Sequence, residues 1–160
     1  MAAFLTDKDV RQLLEDSSAD SRAQTAAKVA DAFMSNQLGS DERRLAEDIF
    51  RIMLKDAESR VREALSENLK TSPDIPHDVA LSLAADVASV ALPVLEFSVV
   101  LTDADLLSIV RTQDDAKQQA IAGRPTVSSA VSDALATVGS EAAVARLVGN
   151  ENADLSDKAL

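Results

Sequence analysis

The sequence predicts an all-α fold, a right-handed α-solenoid of short helical pairs behind an N-terminal helical hairpin. Three observations carry this. Apolar residues recur at the i, i+3, i+4, i+7 spacing of amphipathic helices. Only four Gly and four Pro occur in 160 residues, too few for a turn-rich β fold. A short phrase that opens helices returns about every 26–28 residues, as in units that bury their faces only against their neighbours. The chain is read as a single domain, with residues 1–55 a helical cap and 56–160 degenerate repeats.

The elements follow in order. In residues 6–16, Val10, Leu13 and Leu14 make a short stripe. In 19–38, Ala23, Ala26, Ala27, Ala30, Phe33 and Met34 share one helical face. In 40–57, Leu45, Ala46, Ile49, Phe50, Met53 and Leu54 form a broader one, with Ser40 or Asp41 as its N-cap and Gly39 ending the helix before it. Beyond Asp56 the helical patterns shorten. Ile75, Leu101, Val127 and Leu155 each precede a helix start, and the next positions are Pro76, Thr102, Ser128 and Ser156. Further helical patterns lie between them, opened by Asp56, Asp86, Asp114 and Gly139-Ser140. The final "LSDKAL" starts a helix and stops after about one turn, too short to be stable alone, so the chain is expected to be the N-terminal part of a longer protein.

The phrase "LTDADLLSIV" (101–110) echoes "LTDKDVRQLL" (5–14). With Thr102 as N-cap, its hydroxyl accepts from the amide of Asp105, and the Asp105 carboxylate reaches back to the amide of Thr102. Leu101 and Leu106 then form a hydrophobic staple, and the acids of the first turn suit the helix dipole. The same register places Leu5, Thr6, Asp9 and Val10 at one end of the chain, and Leu155, Ser156 and Leu160 at the other. The repeated phrase is a helix-start signal.

Composition narrows the function. Hydrophobic residues make up 46% of the chain but aromatics only 2%, so the core must be aliphatic. Sixteen Lys+Arg against 27 Asp+Glu leave a net charge of −11, which disfavours nucleic acid and anionic membranes and suits basic or neutral protein surfaces. No cysteine is present, which excludes disulfides, thiolate nucleophiles and Cys-ligated zinc and is compatible with a reducing cytosol. The N-terminus reaches acidic residues before any apolar run, and the most apolar stretch, 88–101, is too short to span a bilayer. A cytoplasmic protein is expected.

Few groups suggest chemistry. Asp103 and Asp105 could resemble a metal pair, but no third ligand is suitably spaced, and first-turn acids explain them. His77, the only histidine, stands at a helix start with no partner or nucleophile identifiable from sequence. Arg124, beside Gly123 and Pro125 at a helix break, is a candidate anion or partner contact; the alternative is that it satisfies helix-end carbonyls. Pro93 is read as a bend or an early position in its helix, and Asn68 and Asn150 as loop residues that end helices. No phosphate loop, HExxH or GxSxG motif occurs. No catalytic residue, metal or cofactor is expected.

"DAESRVREAL" (56–65) resembles the first-helix pattern of HEAT-like repeats, in a unit nearer the length of the leucine-rich-repeat variant. "VALPVLEFSVVLTDADLLSIV" and "QQAIAGRPTVSSAVSDAL" resemble the bacterial domain-of-unknown-function 2336 family, over roughly 56–160. The resemblance implies an α-solenoid and brings no catalytic residues. In HEAT-like repeats the second helices line the binding face, which places a protein-contact strip at Ser82, Ser108, Arg111, Ser129 and Asp133. The expected function is non-enzymatic protein–protein interaction in a bacterial signalling or regulatory assembly. The alternatives are an enzyme or small-ligand binder on the same fold, and a dimerisation module using the 45–54 stripe across a two-fold axis.

Overall fold

Side-chain caps open most of the helices. The computed structural model describes residues 18–155, so the 6–16 stripe, the first copy of the repeated phrase and Ser156–Leu160 lie outside the described residues. Among the described residues there are nine α-helices and no strand: α1 Ala19–Met34, α2 Ser40–Met53, α3 Ser59–Leu69, α4 His77–Ala84, α5 Ala88–Phe97, α6 Asp103–Val110, α7 Asp115–Ala122, α8 Ser129–Val138 and α9 Glu141–Val148. Ser18, Thr102, Asp114, Ser128 and Ser140 each accept a backbone N–H of their own helix's first turn, satisfying a donor with no partner inside the helix. The expected capping box is formed: Asp105 N–H donates to Thr102 Oγ1 at 3.2 Å and Thr102 N–H to Asp105 Oδ2 at 2.8 Å. Its staple partners, Leu101 and Leu106, are both buried.

Several expected boundaries move. Gly39 does not end α1; it is the N-cap of α2, with extended backbone at φ −70°, and Ser40 is already helical. The preceding helix stops at Met34, and Asn36 supplies the left-handed residue at φ 58°. Asn tolerates that conformation, and the early stop lets Leu38 turn into the core. Asp56 and Asp86 are not N-caps either, since Glu58 and Val87 hold those positions. Asn68 lies inside α3, its amide donating to the Ala64 carbonyl at 2.7 Å. Pro93 is the sixth residue of α5, well inside it. The carbonyl it leaves without a helical donor is that of exposed Ser89, within reach of water.

The helices pack in two layers. Each odd-numbered helix packs on the next odd one, α1 on α3, α3 on α5, α5 on α7 and α7 on α9. The even-numbered helices lean on this row: α2 on α1 and α3, α4 on α5, α6 on α7, and α8 on α7 and α9. Between them runs an aliphatic core that includes Leu65, Leu69, Leu83, Leu95, Ile121, Leu135 and Leu147, each with almost no exposed surface. Burying such a side chain stabilises by about 1.5–3 kcal/mol. The only described aromatic pair, Phe33 and Phe50, meets edge to face at 5.4 Å. Phe50 belongs to the 45–54 stripe, where Ala46, Ile49, Phe50 and Met53 are all buried within the chain. The stripe thus packs on its own core, and of these apolar side chains only Ile52 is exposed. It is not the open surface that a two-fold contact there would need.

Asp56 and Asp86 tie successive odd helices together. Arg22 of α1 grips Asp56 through Nε and Nη2 at 2.7 and 3.1 Å. Arg62 of α3 grips Asp86 in the same way at 2.7 and 3.2 Å, and its Nη1 donates to the Asp56 carbonyl. Lys117 of α7 then donates to the Asp86 carbonyl at 2.6 Å. The hydrogen bonds from Arg22 hold the Asp56 carboxyl below its ordinary range. Burial pushes Asp86 upward, but Arg62 and the Val87 amide outweigh it and hold that carboxyl low as well.

Candidate functional site

The expected contact strip falls on the even-numbered layer. Ser82 is on α4, Ser108 on α6, Arg111 at its C-terminal end, and Ser129 and Asp133 on α8. Helical spacing explains why they face outward. Helix α4 buries Val79, Ala80, Leu83 and Ala84, α6 buries Leu106, Ile109 and Val110, and α8 buries Val131, Ser132 and Leu135. Ser82, Ser108, Arg111 and Ser129 are exposed and Asp133 is half-buried.

Two clefts flank α6. The one toward α8, about 350 Å³, is lined by Leu107, Ala130, Ala134 and Val138 with Arg111, Asp133 and Thr137 at its polar edge. The one toward α4, about 360 Å³, is lined by Leu81, Ala85, Ala104, Ser108 and Thr112 among others. The structure therefore brings Arg111 and Asp133 to one cleft and Ser108 to the other, while Ser82 and Ser129 line neither. The cleft walls were missed from sequence. Their signal was the placement of Ala104, Ala130 and Ala134 on outward helical faces, where small side chains leave room between neighbouring helices.

The candidate chemical groups are engaged in holding helix ends. His77, at the first position of α4, meets Asp105 of α6 through Nε2 at 2.7 Å, a partner the sequence had not identified. Burial would raise the Asp105 carboxyl, but the Thr102 amide and hydroxyl and the His77 ring hold it below the ordinary value. Asp103 instead faces a more polar cleft of about 430 Å³, near Arg124, Ser128, Asn152 and Asp154. Among the described residues, no group of three or more His, Cys, Asp or Glu side chains is placed to hold a metal ion.

Arg124 is buried, only 9% exposed, and its Nη1 and Nη2 donate to the carbonyls of Leu95 and Ser98 at 2.5 and 2.6 Å. It thus satisfies the end of α5 from a position after α7. Burial pushes its pKa down, with the nearby Asp103 charge acting the other way. Asn150 just past α9 donates to the Ala122 and Arg124 carbonyls, both at 2.9 Å, and so steadies the same junction.

This junction and both clefts are built largely from one stretch of the chain. Residues 90–160 match the family model of an uncharacterised protein conserved in bacteria, DUF2336. That stretch belongs to the DUF2336 family. The DUF2336 segment begins inside α5 and takes in α6 to α9, including Arg111, Arg124, Asp133 and the Thr102 capping box. Residues 56–89, over which the resemblance was also read, lie outside the match. No curated protein and no solved structure matches the chain. No helix among the described residues is long and apolar enough to cross a membrane.

Proposed function

We propose that this chain is a non-enzymatic α-helical repeat domain, a right-handed HEAT-like α-solenoid that binds another protein in a cytoplasmic regulatory assembly of bacteria. The observation that carries the reading is the difference between its two layers. The odd-numbered helices close against one another in an unbroken row, whereas the even-numbered layer leaves a cleft on each side of α6. Row packing of this kind is how repeats share a continuous core, and the open layer is where such folds present a binding face. The non-enzymatic part is supported by His77 and Asp105. This imidazole–carboxylate pair could begin a catalytic arrangement, but its carboxylate is already the acceptor of a capping box.

The test is affinity capture with the full chain and with a Ser82→Arg, Ser108→Arg, Ser129→Arg variant, from the cell that makes the protein. These exposed side chains carry no core packing, so the variant should keep the wild-type circular dichroism and melting temperature. The reading expects a partner that the wild type retains and the variant loses. Equal recovery of every partner by both proteins defeats it.

A further inference from the structure

Among the described residues, one flank of α2 has no neighbouring helix of its own layer. The other flank faces α4, where Arg43 and Arg51 reach Asp74 and Asp78 at 3.8 and 2.9 Å. Helical spacing puts Leu45 and Ile52 on the flank turned away from α4, where Leu45 is half-buried and Ile52 is 40% exposed. That flank corresponds to the side of α8 that faces α6. Counted from the first residue of each helix, Asp41, Arg44 and Leu45 of α2 match Ala130, Asp133 and Ala134 of α8, which line the α6–α8 cleft. An even-numbered helix thus stands before α8, and among the described residues none stands before α2. Asp41 and Arg44 are exposed, and among the described residues neither side chain has a hydrogen bond or ion pair.

The chain carries a second copy of the α6 sequence to cover it. In "LTDKDVRQLL" (5–14), Val10, Leu13 and Leu14 match Leu106, Ile109 and Val110, the side chains that α6 buries. Ser18 and Ala19 follow Leu14 at the spacing at which Asp114 and Asp115 follow Val110, and Ser18 and Asp114 are both N-caps. We propose that residues 6–15 dock as a helix on α1 and on the Leu45–Ile52 flank of α2, as α6 packs on α7 and α8. The row of helical pairs then begins at residue 5 rather than at 56. This is independent of the interaction reading, which concerns the clefts beside α6. Charge argues for this occupant. Leu107 and Arg111, which line the cleft toward α8, correspond to Arg11 and Glu15. Opposite them, Ala130 and Asp133 correspond to Asp41 and Arg44, so that Arg11 meets Asp41 and Glu15 meets Arg44. Both contacts join opposite charges, which fixes the register of the segment. Leu45 in place of Ala134 fills the space that stays open beside α6, and the Arg11 stem can lie over it. The short connection to Ser18 holds the segment at high effective concentration, and a terminal pair of this kind closes the end of a repeat row.

The chain has no cysteine, so a spin label can be attached at one introduced position of the full chain. Asp48→Cys and Thr137→Cys replace exposed residues at corresponding positions of α2 and α8. A label at 137 should broaden the amide signals of residues 107–111, which share its cleft. A label at 48 should broaden those of residues 11–15 to a similar degree. Undisturbed signals at 11–15, with 107–111 broadened by the other label, overturn the docking. Broadening of isotope-enriched chains by spin-labelled chains mixed with them means that a second copy supplies the segment, and overturns docking within one chain. Glu15→Arg and Arg44→Glu should each lower the amide-exchange protection of residues 10–14 about threefold, and the two together should restore it. Losses that simply add in the double variant overturn the Glu15–Arg44 contact.

Discussion

Gln118 shows how much a single buried amide can hold in this molecule. Its Nε2 donates to the carbonyls of Val110 and Val138 at 2.8 and 3.2 Å, and its Oε1 accepts from Ser140 N–H at 2.9 Å. It therefore joins the end of α6, the end of α8 and the start of α9 from one position in α7. Gln118→Leu keeps the bulk but strands the Val138 carbonyl and the Ser140 amide, while the Val110 carbonyl keeps the Gln113 N–H at 3.1 Å, and should cost about 2–3 kcal/mol in chemical denaturation. Thr102→Ala removes only the cap and should cost about 1 kcal/mol by the same measurement. Gly123 acts differently. A Cβ there would lie 2.2 Å from the Arg146 guanidinium, which crosses it to reach Glu96 at 2.8 Å. Composition and periodicity could not reveal this glycine's role, because the side chain that needs the space lies in another helix.

At the scale of elements, the Arg22–Asp56 and Arg62–Asp86 pairs connect consecutive odd helices where their N-terminal ends meet the loops. Their side chains are only 13–16% exposed, so removing one partner leaves a charge largely out of water. Arg62→Met should cost about 1–3 kcal/mol, less than a fully buried pair because water still reaches it. Both aspartates are held below the ordinary value of 3.8. The stability they add is therefore complete above that value and lost as pH falls through their lower folded values. A melting temperature followed downward from pH 5 should drop most steeply below about 4. In the Asp86→Asn variant that drop should be smaller, and an identical acid profile would count against the ladder. The sequence reading took Asp56 and Asp86 only as the openings of helical patterns. That was a local explanation for residues whose main partners are 34 and 24 positions away.

Across the whole molecule, the two layers should differ in local stability. Helices α3, α5 and α7 each pack on odd neighbours to both sides, whereas α4 and α6 keep one face toward solvent and the clefts. Native-state hydrogen exchange should therefore protect the odd row most, with α4 and α6 opening at lower free energy. Uniform protection across both layers would contradict this arrangement.

The sequence by itself determined the all-α class, the aliphatic core, and most helix starts beyond residue 100. These depend on local physics: a cap such as Thr102 bonds its own first turn, and a staple such as Leu101 and Leu106 spans a few residues. It also placed Ser82, Ser108, Arg111 and Ser129 on outward faces, since helical spacing alone separates them from the buried stripe. Only the tertiary structure decided that Arg124 ends α5 rather than its own helix, that His77 meets Asp105, and that the 45–54 stripe is buried within the chain. It alone opened the clefts around α6. Each of these depends on the distance between segments far apart in the chain, which packing sets and periodicity does not encode.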